Sequence, residues 1–479
     1  MRSHRRFAVS SLENIYLITA LSSGLLMAAI NPPFAGVPDE KLHFLKSWAV
    51  AVGDITCRPG NTVPTSAYKL SVAYPVYART ADGSEKVVFD KTLKKLFDRD
   101  DLADRTGNAY AVCGAPPIGY LPQAAALQVG AFFHWSALAG FYLARVFNLV
   151  AAVMLVYWAI RLIPFGKIVL LVIGLLPMTI QQFASLGYDA LHIGASFLFI
   201  AYVMRLAIET QKPVRARDAA LLLLLGLFVC NVKYGYLGLT LLVFLLPVGK
   251  FKGRTQYWLS VLGYVACNVL VFYLVYRYFQ SHLAPGGAPG MPRVSPVRQY
   301  ANVVNSPLQF LLTVIDSLYV KFIFYFETFL FKPGWLNVSL PPLWYVLMAT
   351  GMVVLVRNEA EEVPLTGRQR LVMLGVFLLN ALAVFFAMYV AWTPVGARII
   401  EGVQGRYFLN VFPLLVFFFY KAGSPPTPGW AGKYRRVPLV LFYLVMLGWA
   451  FLSLYQIYYD KEPGVPLLVK LHGKLFGRH

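Results

Sequence analysis

The sequence predicts an all-α polytopic membrane protein, and three observations carry that expectation. Hydrophobic residues make up 58% of the 479 and charged residues 14%, where a soluble domain carries roughly 25% charged. Several apolar runs approach the ~20 residues needed to cross a bilayer. The net charge of +21 sits largely in short loops between those runs, which is the positive-inside distribution. Such a charge balance reports topology, and no nucleic-acid partner is expected from it.

The elements follow in order. Arg2, Arg5 and Arg6 place the N-terminus in the cytoplasm, and the run Leu12 to Ile30 leads outward. No clean small-x-small cleavage site precedes Pro32 and Pro33, so the run reads as an uncleaved first helix rather than a signal peptide. The chain then divides into three parts: a first transmembrane helix (1–30), a large extracytoplasmic loop or cap (31–117), and a multi-helix transmembrane domain (118–479). In the loop, Lys91 to Phe97 reads as a short helix. Pro116-Pro-Ile-Gly-Tyr-Leu-Pro122 opens a second membrane-associated segment. Beyond it, apolar runs alternate between the two sides, with basic turns at Arg161 and Lys167, at Lys212, Arg215 and Arg217, at Lys250, Lys252 and Arg254, and at Lys421, Lys433, Arg435 and Arg436. The tally is about eleven transmembrane helices. Pro307 to Leu330, which carries Asp316, Lys321 and Glu327, is expected as an interfacial or re-entrant pair on the outer side.

The stretch around which the rest is organised is Asn31-Pro-Pro-Phe-Ala-Gly-Val-Pro-Asp-Glu-Lys-Leu-His-Phe44. Prolines end the first span and hold the chain extended. Asp39 then reads as the N-cap of a helix with Leu42, Leu45, Trp48, Ala49 and Val52 on one face, lying on the membrane. Capping would keep its carboxylate ionised, as a base must be. Cys57 and Cys113, in the same loop, are candidates for a disulfide pinning its two ends.

Ionisable groups in or near hydrocarbon need a partner or a job, and here many fall at the outer ends of the spans. They are Asp39, Glu40 and His43, Arg145, Tyr188 and Asp189 with His192, Lys233-Tyr-Gly-Tyr236 including Tyr234, Glu327, and the segment Glu401-Gly-Val-Gln-Gly-Arg-Tyr407. The plain alternative for any of them is an ion pair that orients helices, such as Asp189 with Arg145. Together they suit one chemistry: Asp39 or Glu40, with His43 beside them, deprotonates an acceptor hydroxyl while Lys233, Arg406 and Arg145 hold a phosphate leaving group. Tyr188, Asp189, Tyr234, Gln404 and Tyr407 are the substrate-binding candidates, and Gly402 and Gly405 let backbone approach a ligand closely. No ligand spacing supports a metal; a divalent cation is left open, and no cofactor is expected.

The blocks Pro38-Asp-Glu-Lys-Leu-His-Phe44, Leu176-Pro-Met178, Ser185-Leu-Gly-Tyr-Asp-Ala190, Lys233-Tyr234, Gly334-Trp335 and Gly402-Val-Gln-Gly-Arg-Tyr-Phe408 resemble, in order, the signature segments of a bacterial family of polytopic membrane proteins grouped with the GT-C integral-membrane glycosyltransferases. The resemblance implies a GT-C-like fold with interfacial helices in the first loop, a membrane-embedded groove for a lipid tail, and a catalytic carboxylate where Asp39 stands. It also implies a polyprenyl-phosphate-linked sugar donor, a glycan or lipid-linked glycan acceptor, and transfer outside the bacterial cytoplasmic membrane, usually with inversion. The rival expectation is a transporter or flippase for a lipid-linked sugar, and a third is a polysaccharide-assembly scaffold.

Overall fold

The computed structural model describes residues 11–56, 62–73, 86, 94–100, 102–107, 114–208, 213–281, 293–358, 365–420 and 437–460. Helix α1 (Leu12–Ile30) starts at Ser11, whose hydroxyl accepts from the Asn14 N–H, and stops where Asn31-Pro32-Pro33 removes the next donors. The first loop holds α2 (Glu40–Ala51), α3 (Thr65–Ala73) and a two-stranded antiparallel ribbon, β1 (Thr62–Pro64) with β2 (Arg105–Gly107), so the chain is not purely helical. Residues 94–96 are helical, within the short helix expected there; residues 91–93, Cys57 and Cys113 lie outside the described residues.

After the loop come α4 (Leu121–Phe132), α5 (Ala137–Leu162), α6 (Lys167–Gly174), α7 (Pro177–Phe183), α8 (Asp189–Ile208) and α9 (Ala216–Val232). A 310 stretch (Leu237–Leu245) leads to α10 (Arg254–Gln280), α11 (Pro296–Asn305), α12 (Pro307–Val320), α13 (Phe322–Leu330), α14 (Pro342–Asn358) and α15 (Gly367–Trp392). A 310 turn (Gly405–Phe408), α16 (Phe412–Phe419) and α17 (Val437–Tyr458) complete the order.

Six helices among the described residues are long and apolar enough to cross a membrane: α1, α5, α8, α10, α15 and α17. The other five expected crossings are interrupted or short. Residues 167–185 break at Leu175–Leu176, ahead of Pro177, into α6 and α7. Helices α9 and α14 have 17 residues each. Residues 237–245 wind as 310 helix, and 405–420 divide into a 310 turn and the eight-residue α16. The stretch expected as an interfacial or re-entrant pair is α12 and α13, hinged at Lys321, which pairs with Glu401 at 2.6 Å. A bend of 109° separates α11 from α12.

Helix α8 is the most enclosed span, 78% of its apolar window buried, and α10 the least at 17%. The centre of the bundle is therefore α8 packed on α5, with α1 also against α5, while α10 leaves most of its surface uncovered by the rest of the chain. Irregular backbone is tolerated at membrane depth only inside protein, and α6 and α7 meet that condition, since nearly every residue in them is buried. The apolar face of α2 differs from expectation: Phe44, Leu45 and Trp48 are buried with Leu127, Leu138 and Phe141, so that face packs on α4 and α5 rather than on lipid.

The 402–408 segment is held against α13. A Cβ on Gly405 would sit 1.8 Å from the Tyr325 carbonyl oxygen and 2.6 Å from the Phe329 nitrogen, both backbone atoms. The glycine expected to admit a ligand thus admits a helix, and its N–H donates to Thr328 Oγ1 at 2.7 Å. Gly405→Ala is expected to lower the detergent-solubilised thermal midpoint by an amount equivalent to about 3 kcal/mol or more. Gly448→Ala, where nothing lies within 4 Å, should leave it unchanged or raise it.

Candidate functional site

The site begins with the turn that follows α1. Arg145, from the first third of α5, is fully buried and grips this turn from below. Its Nε and Nη2 donate to the two carboxylate oxygens of Glu40 at 2.8 and 2.6 Å, and its Nη1 donates to the carbonyls of Ala28 and Asn31 at 2.7 Å each. The guanidinium also stacks over Phe141, 4.5 Å from the ring centroid. Glu40 and Arg145 therefore satisfy each other, and neither is free to act as a base or to take a phosphate. The pairing of Arg145 with Asp189 is not formed.

Asp39 stands one residue ahead of this clamp. It occupies the N-cap position of α2, but its φ is +61° and its carboxylate makes no capping hydrogen bond. The expectation that capping would hold it ionised is corrected: the left-handed backbone swings the side chain off the helix end. Its charge acts instead on His43, Tyr120, Tyr188, Arg406 and Tyr407. Asp39 ends the turn before α2, and His43 lies in the first turn of that helix.

The second wall is the Ser185–Asp189 loop between α7 and α8. Asn148 Nδ2 donates to the carbonyls of Ser185 and Gly187 at 2.7 and 3.0 Å, and Gln123 Nε2 donates to that of Leu186 at 3.2 Å. With its carbonyls tied, the loop presents Tyr188 and Asp189. Asp189 accepts from Lys233 Nζ at 2.6 Å. Lys233 follows the end of α9, and its ammonium lies 4.2 Å from the Tyr407 ring centroid and 5.6 Å from that of Tyr188, a cation–π cage.

Arg406 supplies the third wall. Its Nε donates to Gln404 Oε1 at 2.6 Å and its Nη1 to Gln182 Oε1 at 2.9 Å. Both partners are neutral amides, so they orient the guanidinium without cancelling its charge, while Asp39 and Asp189 act on it through space. The 310 turn Gly405–Phe408 divides two surroundings. Residues three apart share a side in such a helix, and Gly405 and Phe408 line an apolar cavity of about 740 Å³. Arg406 and Tyr407 belong to the polar cluster. The cavity runs between α12–α13 and α14–α16, walled by residues such as Phe326, Met352, Leu378 and Phe412.

Asp39, His43, Tyr188, Asp189, Lys233, Gln404, Arg406 and Tyr407 are thus brought into one cluster. Tyr234 is not: it packs edge-on against Phe272 and Tyr276 of α10, 5.7 and 5.2 Å away. Two members, Gln182 and Tyr120, escape the sequence reading, and Tyr236 enters it only within the Lys233–Tyr236 segment. Gln182 orients Arg406, Tyr236 donates to the Tyr407 carbonyl at 2.6 Å, and Tyr120 lies 2.8 Å from His43 Nδ1. The signal for Gln182 was its place in a Gln pair within an apolar run; Tyr120 carried none. Among the described residues no group of three or more His, Cys, Asp or Glu is placed to hold a metal ion.

A helical bundle with several membrane spans and a polar cluster at one end defines a polytopic membrane protein. The chain matches over residues 21–415 the family described as predicted membrane protein (DUF2142), and it belongs to that family. No curated protein matches the chain at a significant level.

Two measurements follow from the geometry. Removing one partner of a buried pair leaves the other charge uncompensated, at a cost of about 3–5 kcal/mol, so Arg145→Met should lower the thermal midpoint steeply in detergent, and adding Glu40→Met should recover part of it. Burial, opposed by the Asp39 carboxylate, pushes the His43 pKa down from 6.5 to about 4. The unfolded chain then takes up a proton first, so His43's contribution is complete above pH 6.5 and is lost as pH falls toward 4. The thermal midpoint should decline over that window, and His43→Gln should flatten the decline.

Proposed function

We propose that this protein is a GT-C-like glycosyltransferase of the bacterial cytoplasmic membrane, moving a sugar from a polyprenyl-phosphate-linked donor to an acceptor on the extracytoplasmic face. The observation that carries the proposal is the 310 turn Gly405–Phe408. On one side it offers Arg406 to a cluster that also contains Asp39 and Lys233; on the other it floors an apolar groove of about 740 Å³. A substrate with a phosphate head and a long hydrocarbon tail matches both sides at once.

In this mechanism Asp39 accepts the proton of the acceptor hydroxyl as its oxygen attacks the anomeric carbon. The bond from that carbon to the phosphate oxygen breaks, its electron pair leaves with the phosphate, and attack from the opposite side inverts the anomeric centre. Arg406 and Lys233 meet the negative charge that grows on the phosphate. Both are held before substrate arrives, Arg406 by two amides and Lys233 by Asp189, so little reorganisation is needed. The acceptor is a glycan or lipid-linked glycan.

The test uses purified protein in nanodiscs with polyprenyl-phosphate sugars. Free polyprenyl phosphate and a glycosylated acceptor are the expected products, and Asp39→Asn should lower turnover by at least a thousandfold with an unchanged thermal midpoint. Asn also tolerates the left-handed backbone at this position, which makes it the clean substitution. Full turnover in Asp39→Asn removes the carboxylate as base. Movement of intact lipid-linked sugar across proteoliposomes, without release of polyprenyl phosphate, would assign the protein to the flippase class instead.

A further inference from the structure

We infer that Tyr120 fixes the tautomer of His43, making that histidine a hydrogen-bond donor into the site and leaving Asp39 as its base. The donor role rests on the glycosyl-transfer proposal; the tautomer does not.

The placement of Tyr120 is written in Pro116-Pro-Ile-Gly-Tyr120. Pro116 holds extended backbone (φ −60°, ψ 145°) and delivers the chain into a 310 turn, Pro117–Tyr120. Only glycine fits at 119, because a Cβ there would stand 2.8 Å from Tyr188 Cβ and 3.2 Å from Val232 Cγ1. The turn therefore seats against the loop before α8 and the end of α9. Tyr120 ends it, fully buried, with its ring 5.7 Å from Tyr188 and 5.8 Å from His43.

The proton position follows from hydrogen-bond accounting. Among the described residues the Tyr120 hydroxyl has one hydrogen-bond partner, His43 Nδ1 at 2.8 Å. If the phenol only accepted from Nδ1–H, its own O–H would be buried without an acceptor, the costly outcome for a buried donor. Donation from Tyr120 to Nδ1 satisfies both groups. Nδ1 is then unprotonated, and the neutral ring carries its hydrogen on Nε2.

That nitrogen lies beside Gly187 in the Ser185–Asp189 loop, 3.8 Å from where a Cβ on that residue would stand. The charged and titratable groups that act on the ring are Asp39 from its own helix, Asp189, Lys233 and Arg406, with Tyr188 edge-on at 5.4 Å. With one nitrogen occupied by Tyr120 and the other protonated, His43 has no lone pair to accept a substrate proton. Its Nε2–H can donate to an oxygen of the phosphate or of the acceptor, which makes it complementary to Asp39 rather than redundant with it. Tyr120 acts through His43 and is a positioning residue.

The test is nitrogen NMR of nanodisc-embedded protein labelled with 15N-histidine, using His43→Gln to assign the resonances. The wild type should show an unprotonated Nδ1 and a protonated Nε2 at pH 7. Tyr120→Phe, which keeps the ring and its packing, should show both tautomers. A protonated Nδ1 in the wild type, or an unchanged tautomer in Tyr120→Phe, overturns the inference. In turnover assays Tyr120→Phe should lose about tenfold to a hundredfold in kcat with little change in KM, and His43→Gln, which retains a donor, should stay above His43→Leu. Equal rates for those two overturn the donor role. If wild-type protein turns over no polyprenyl-phosphate sugar, glycosyl transfer fails and the donor role with it, while the NMR result alone decides the tautomer.

Discussion

Everything at the functional end of this bundle hangs on the buried contact between Arg145 and Glu40. Neither side chain is exposed, the carboxylate takes two guanidinium hydrogen bonds, and the remaining Nη1 protons fall on carbonyls at the end of α1. Exchanging such a pair for apolar residues is often neutral for stability. What it supplies here is register: one planar cation fixes where α1 stops, how the proline turn folds back and where α2 begins. Asp39, one residue before Glu40, inherits its position from that lock.

Around Asp39 the charges are handled in two different ways. Lys233 has a carboxylate in contact and aromatic faces around it, so its charge is largely satisfied within the protein. Arg406 is oriented by amide oxygens, which hold a guanidinium in place yet leave its charge available to a ligand. A bidentate fork that is aimed but not neutralised is the better anion receptor. Its neighbours on the same 310 turn, Gly405 and Phe408, belong to the apolar groove, so a single turn of backbone divides polar from apolar surroundings.

Much of the cluster was legible because charge is conspicuous in an apolar chain. Asp39, Lys233 and Arg406 announce themselves, since each must justify its cost near hydrocarbon. Tyr120 and Gln182 do not, because amides and phenols in apolar runs read as packing until their partners are known. The misplacement of Tyr234 has a specific cause. The chain leaves helical geometry at Lys233 and takes a φ of +102° at Gly235, so no helical period relates Tyr234 to Tyr236, and the two meet different partners. Likewise, the left-handed backbone of Asp39 has no signature that separates it from an ordinary N-cap. The interrupted spans were hidden for another reason: a hydropathy window averages across a break, and Leu175–Leu176 is as apolar as the helices on either side.

Those interruptions bear on biogenesis. A stretch such as α6–α7 cannot rest in bare lipid, because the carbonyls freed at its break would each cost several kcal/mol there. It is buried by α1 and α5, which precede it, but also by α8, α14, α16 and α17, the last of which begins more than two hundred residues further on. Until those late helices are synthesised, the middle of the bundle has only half of its shelter. Assembly is therefore a return journey, in which segments threaded early are completed by helices that leave the translocon much later.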